Sequence, residues 1–480
     1  MRSLGWRMAA SAATCVLLSA GALSTTVSAA QPKNVTLSVL GIAGWLPSEL
    51  ALKMAPGFEA YARKHYGLNV KVVEQGAPFT NLYQKAAASL AAGSSEYDII
   101  VSDSQWLGAF ATPRWVVRLN KVIDSTPLLK QDMSNWIAPI INWSYMSYPY
   151  KTDNYYGLPQ EGDTLLLYVR KDMLDNPANQ KAFYAKYHYA LPTHFSQWAH
   201  MRWSEFDQIA GFFNRPAQHM YGFATQYSKT YDFMSDQVMS FDWMYGGQIW
   251  NNVKHQVYGI LNSPENNKAL AAYVALQKYG PPGEDTWGIS HVVQALAQGR
   301  VFSGLEWSAE GPAIFTPQMK NKIMAVPPPG HMVNGKFLQI YCIGGQPWVV
   351  NRFIDPLHMK AAIDFLKWWY LPSTQLEFAK LGGNPVIKQV VDAPNFDSIH
   401  PWYRAYKYMM VDAHQRDFWH NPDYASMLNA EQSAWTALAT GVIHSAKLAN
   451  TYAACRQQKI LYETGFTRVP PPPSCANVHL

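Results

Sequence analysis

The chain has 480 residues, 48% of them apolar and 15% charged, with 39 Lys and Arg against 33 Asp and Glu. The resulting charge of +6 is mild and carries no Lys/Arg blocks, which excludes nucleic acid as an expected partner, because phosphate backbones are held by clustered cations. The length exceeds what one hydrophobic core organises, roughly 250 to 300 residues, so two lobes are expected.

Arg2 and Arg7 precede an apolar Ala/Leu-rich run that ends at Val27-Ser28-Ala29-Ala30. This is the pattern of a cleaved secretory signal over residues 1–30. The run 8–23 is short and Ser/Thr-broken, and no later stretch approaches ~20 uninterrupted apolar residues, so no membrane span is expected. Cys15 lies inside the run and not at its end, which argues against a lipid anchor and for a free periplasmic protein. In an oxidising compartment Cys455 and Cys475 form the candidate disulfide, tying the Pro-rich tail 469–480 to the preceding helix. Cys342 is left as a buried small hydrophobe.

Residues 35–40 alternate as a buried strand, and a helix is expected over 48–65 with a break at Pro56. Gly67 ends it, and strand resumes over 68–73. A second helix, about 80–92, stops at Gly93 before a strand over 97–101. Strand, helix, strand, helix, strand is the order of a parallel sheet with right-handed crossovers, and the fold class is α/β. Such sheets bind ligands beyond the carboxyl ends of their strands. Two loops lie there, Gly41-Ile42-Ala43-Gly44-Trp45 and Ser102-Asp103-Ser104-Gln105-Trp106-Leu107-Gly108.

Farther along, Tyr156-Gly157-Leu158-Pro159 leads into a strand with Gln160, Glu161 and Asp163 crowded at its start. Ser204 with Asp207 reads as a capping box, and so does Thr374 with Glu377. Tyr245-Gly246-Gly247 and the run 297–307, ending in Glu306-Trp307, follow. The pair Gly344-Gly345, next to Gln346, opens into another strand, residues 361–371 form an amphipathic helix, and 421–462 read as closing helices.

In chain order, Pro56-Gly57-Phe58-Glu59, Tyr97-Asp98-Ile99-Ile100, Tyr156-Gly157-Leu158-Pro159 with Asp163, Trp203-Ser204-Glu205-Phe206, Ala297-Gln298-Gly299, Gly344-Gly345, the helix 361–371 and Gly382-Gly383-Asn384-Pro385 resemble the family 1 extracellular solute-binding proteins. These are the maltose-binding-protein-like, sugar-binding components of ABC importers. The resemblance spans roughly residues 35–465. It implies a two-lobed periplasmic-binding-protein fold, with mixed sheets flanked by helices and a ligand cleft between the lobes. Lobe 1 would comprise 31–160 and 346–415, and lobe 2 would comprise 161–345 and 416–468. Extra segments around 124–155 and 176–193 depart from the family pattern. Partners implied are a small polar solute and the importer's permease subunits. A monomer is expected, without cofactor or metal.

A hydroxyl-rich ligand calls for carboxylates and carboxamides to share its hydrogen bonds and for aromatic faces to cover its C–H surfaces. By its place in the family pattern Asp163 is the first candidate, and Trp307, with Glu306 beside it, is the stacking aromatic. Asp103 and Gln105 stand in the loop where the family gathers polar contacts. Trp45, Trp243, Tyr245, Gly345 and Gln346 complete the set. Neither ligand loop carries Lys or Arg, which favours a neutral sugar or polyol over a glycerol phosphate.

A secreted glycosidase is the alternative raised by Glu161 and Asp163, since two carboxylates ~5 to 9.5 Å apart flank a scissile glycosidic bond. Two positions apart on one strand, they face the same way. No nucleophile elbow, zinc helix or phosphate loop is present. The histidines, including His188, His194, His200, His414 and His420, lack metal-ligand spacing.

Overall fold

The computed structural model describes residues 33–127, 129–130, 136–142, 146–150 and 152–480; the expected signal segment and its cleavage site lie outside them. Strand β1 (Lys33–Ile42) buries Leu37, Val39, Leu40 and Ile42 as the inner strand of a sheet. Helix α1 (Leu46–Tyr66) returns to β2 (Leu68–Ala77), turning at Gly67, whose φ of 61° is the left-handed C-cap that glycine adopts without penalty. Helix α1 runs unbroken through the expected break at Pro56. The carbonyl that proline leaves without an intrahelical partner belongs to Leu52, on the exposed face, where solvent can reach it.

Helix α2 (Phe79–Ala91) leads to β3 (Ile99–Val101), and both β2 and β3 pair parallel to β1. Strands β4 (Gly157–Pro159) and β11 (Pro347–Val350) complete this first sheet in the order β2-β1-β3-β11-β4, with β11 antiparallel to both its neighbours.

The second sheet centres on β5 (Asp163–Arg170), buried along nearly its whole length. It pairs antiparallel with β6 (Ser303–Trp307), β7 (Ile323–Val326) and β10 (Tyr341–Gly344). A short hairpin of β8 (His331–Val333) and β9 (Lys336–Leu338) precedes β10, and β12 (Gln415–Arg416) runs parallel to it. Gln415 thus already lies in the second sheet, beside Tyr341.

The helices Pro356–Trp369 and Pro372–Lys380 belong to the chain passage between β11 and β12, and Tyr424–Ala439 and Ala446–Glu463 close the fold against each other. Two caps differ from expectation. The helix Trp203–Phe213 begins one residue before Ser204, and Glu205 reaches back to the Arg202 amide at 2.9 Å. The other begins at Pro372, whose missing N–H costs nothing in a first turn, so Thr374 does not cap it. Cys455 and Cys475 are bridged, and Cys342 is free and buried. No helix of the described residues is long and apolar enough to cross a membrane.

Candidate functional site

Two of the passages between the sheets lie side by side. Pro159 sits opposite Pro347, the Gln160 amide donates to the Gln346 carbonyl at 2.7 Å, and Asp163 sits opposite Gly344. The ribbon 159–163 and 344–347 therefore joins one sheet to the other. Gly345 makes the bend with φ of 99°, a conformation that side chains resist. At Gly344 a Cβ would come within 2.4 Å of the Trp307 ring, so the indole packs directly on the glycine face.

Above this ribbon lies a narrow cavity of about 30 Å³. Trp45, Phe79 and Asp103 line it from positions just beyond the ends of β1, β2 and β3. This is the carboxyl edge of the parallel strands, where α/β sheets collect ligands. Asp163, Trp307, Tyr231, Asp232, Asp236, Ile289 and Phe418 line it from the segments built around the second sheet. The ribbon contributes Ile343, Gly344, Gly345 and Gln346.

Hydrogen bonds fix several of these groups. The Trp45 indole N–H donates to Glu161 Oε1 at 3.0 Å and to Gln346 Oε1 at 2.9 Å, and its ring meets Phe79 edge-on at 5.2 Å. Asp163 Oδ1 accepts from the amides of Thr164 (2.8 Å) and Ala309 (3.1 Å), from the Ser308 hydroxyl, and from Asn384 Nδ2 at 3.3 Å. Its Oδ2 is buried without a hydrogen-bond partner. One oxygen is thus anchored and the other is left without a protein partner.

Across the cleft, the Tyr231 hydroxyl donates to Asp103 Oδ2, and Gln105 Nε2 donates to Asp232 Oδ2 at 2.5 Å. Both bonds join a loop of the first sheet to the start of the helix Phe233–Met244, so they hold the two lobes together. Tyr231 reaches this position with φ of 55°, rare for a bulky residue.

The carboxylates of the cleft are unusual for their neighbourhood. Burial pushes Asp163 up to about 7 and Asp103 up to about 6, the latter also opposed by the charge of Asp417 and eased by Tyr231. Asp232 and Asp236 are held well above the ordinary range, first by burial, then Asp232 by the charge of Asp103 and Asp236 by the charges of Asp232 and Asp103. Glu161 is raised by burial and by the charge of Asp163. None of the cavity-lining residues is Lys, Arg or His.

Of the residues singled out in the sequence, Trp45, Asp103, Asp163, Trp307, Gly345 and Gln346 converge on this cavity. Gln105 stands one step behind, on Asp232. Glu306 is buried in β6, where it accepts from Gln226 at 2.8 Å and from the Trp307 amide at 3.0 Å, and does not line the cavity. Trp243 and Tyr245 sit at the far end of the helix that starts beside Asp232; twelve residues of helix separate its ends by about 18 Å. Tyr245 instead stacks on His331 at 4.0 Å in a separate surface groove.

Sequence reasoning passed over Phe79, Tyr231, Asp232, Asp236 and Phe418. Two signals were available. Phe79 follows the carboxyl end of β2, just as the two chosen loops follow β1 and β3. Asp232 and Asp236 are four apart, hence on one face of a helix otherwise rich in Met, Val and Phe.

A family model described as bacterial extracellular solute-binding protein matches residues 58–409. Among solved structures, the ABC transporter solute-binding protein of Agrobacterium radiobacter in complex with ribitol superposes with a TM-score of 0.71 at 20% identity, covering 89% of this chain and 100% of that one. Maltose-bound MalE3 of T. maritima gives the same TM-score, identity and coverage. The solute-binding protein of Agrobacterium vitis with bound D-mannitol gives 0.68 at 13% identity, covering 90% and 99%. At these identities the likeness is one of fold.

Proposed function

The chain belongs to the bacterial extracellular solute-binding proteins, and from that premise we propose that it captures a sugar or polyol between its lobes and delivers it to the permease of an ABC importer. The observation that carries this reading is the cavity beside the β5–β10 ribbon, where aromatic faces and hydrogen-bonding side chains from both lobes meet. Trp45, Phe79 and Trp307 would cover the C–H faces of a ring or chain, and Asp103, Asp163 and Gln346 would share its hydroxyl hydrogens. Binding at this place favours the closed arrangement, since contacts to both walls exist only when the walls approach.

No step of bond cleavage is part of the proposal. Glu161 and Asp163 enter β5 together, and Glu161 is turned to the Trp45 indole instead of lining the cavity opposite Asp163. An anionic solute such as a glycerol phosphate is disfavoured by the acidic lining. The protein would work as a periplasmic monomer, released by cleavage after Ala29 or Ala30, with lobe changes at the passages 160–162, 345–346 and 410–414. Intact-mass measurement of the secreted protein checks the processing.

A thermal-shift panel of sugars, polyols and their phosphates on the mature chain tests the function. A true ligand at ~100 times its dissociation constant adds about 2.7 kcal/mol of stability. Stabilisation by phosphates alone would overturn the sugar or polyol reading.

A further inference from the structure

We propose that the solute carries a protonated amine as well as hydroxyls, an amino sugar or aminated polyol, held by the carboxylates of the cleft; this rests on the capture reading above. Four aspartates, Asp103, Asp163, Asp232 and Asp236, line one cavity, and each is at most 8% exposed. Among the described residues none of the four forms an ion pair with Lys, Arg or His. Asp163 supplies the independent sign of a ligand. Its Oδ1 takes all the protein donors, and Oδ2, buried in a cavity-lining residue only 1% exposed, has no hydrogen-bond partner.

A neutral sugar satisfies hydrogen bonds but leaves these carboxyls held towards the protonated form when the cleft shuts, because uncompensated buried charge is costly. An ammonium group on the ligand supplies the compensation. The suppressed ionisation of these aspartates, whose pKa values burial raises, is consistent with a site lacking its cation. Trp45, Phe79, Tyr231 and Trp307 add negative ring faces that attract a cation and tolerate C–H surfaces equally well. A bare metal ion fits poorly, because nowhere among the described residues do three His, Cys, Asp or Glu groups converge closely enough to hold one. The carboxylates are instead spread around the cavity on three separate stretches, the loop after β3, the start of β5 and the start of the helix Phe233–Met244.

Matched pairs test this by titration calorimetry at pH 7.5 on the mature protein: D-glucosamine against D-glucose and N-acetyl-D-glucosamine, and 1-amino-1-deoxy-D-sorbitol against D-sorbitol, with butane-1,4-diamine as an amine without hydroxyls. The expected result is that an amine binds at least ~100-fold tighter than its neutral partner, and that Asp232→Asn cuts this advantage at least ~10-fold while apo unfolding stays cooperative. Neutral partners binding as tightly as amines, or no amine binding at all, overturns the inference. Neutral sugars binding alone would leave the capture reading standing. Binding of the diamine with none of the hydroxylated compounds would keep the amine requirement and remove the sugar or polyol reading.

Discussion

Asp163→Asn separates the binding role of this side chain from its structural one. An asparagine can leave its carbonyl oxygen on the donors of Thr164, Ser308, Ala309 and Asn384 and place its NH2 where the unpartnered Oδ2 now lies. The anchoring bonds survive, and the charge does not. Burial raises the native carboxyl from 3.8 to about 7, whereas the unfolded chain ionises near the ordinary value. At pH 8 ionisation of this group therefore opposes folding by up to ~4 kcal/mol, at 1.36 kcal/mol per pKa unit. At pH 5 the native group is still protonated and the opposition is roughly 3 kcal/mol smaller. The variant's stability relative to wild type should accordingly rise by about that difference between pH 5 and 8, as measured by urea unfolding at both pH values. Its affinity for the solute should fall at least tenfold, ~1.4 kcal/mol, by calorimetry. A stability difference independent of pH together with unchanged affinity would refute the reasoning and leave Asp163 a purely structural group.

Three further outcomes follow from the same geometry. The empty protein should be most stable under mildly acidic conditions. Asp103, Asp163, Glu310 and Glu431 have native values raised to about 6, 7, 7 and 8 by burial, so the stability they contribute is full below pH ~4 and is lost as pH rises through 6 to 8. A melting temperature that climbs steadily from pH 5 to 8 would contradict this. Gly344→Ala should destabilise by about 1 to 3 kcal/mol, because the added carbon meets the Trp307 ring at 2.4 Å, and Trp307→Leu in the same chain should recover part of that loss; equal losses in the single and double variants would argue against the clash. Cys455→Ser with Cys475→Ser should cost about 3 kcal/mol in denaturant unfolding, from the 20-residue separation of the bridged pair; no loss would mean that the tail contributes nothing to the folded state.

The parts legible from the sequence were those set by local pattern. The order β1, α1, β2, α2, β3 could be read from alternation and glycine stops, and the parallel pairing observed follows from it. Trp45 and Asp103 could be placed because a topological rule points to strand ends. Asp163 stood out by its place in the family pattern, and Gly345 as one of a glycine pair that opens into a strand. Tyr231 and Phe418 gave no such mark, since they reach the cavity only through long-range packing of the second lobe on the first. Trp243 and Tyr245 looked suitable by composition, but the helix axis carries them to the opposite end from Asp232. The cap at Ser204 failed for a smaller reason: Glu205 reaches the Arg202 amide and sets the helix start earlier.

The location of the bound solute tests the account most directly. A crystal structure of the mature protein with whichever compound gives the largest thermal shift should show it between Trp45 and Phe79 on one side and Trp307 on the other, with Asp163 Oδ2 within hydrogen-bond distance. Solute bound elsewhere, for instance in the groove beside Tyr245 and His331, with the cavity above the β5–β10 ribbon left to water, would contradict it.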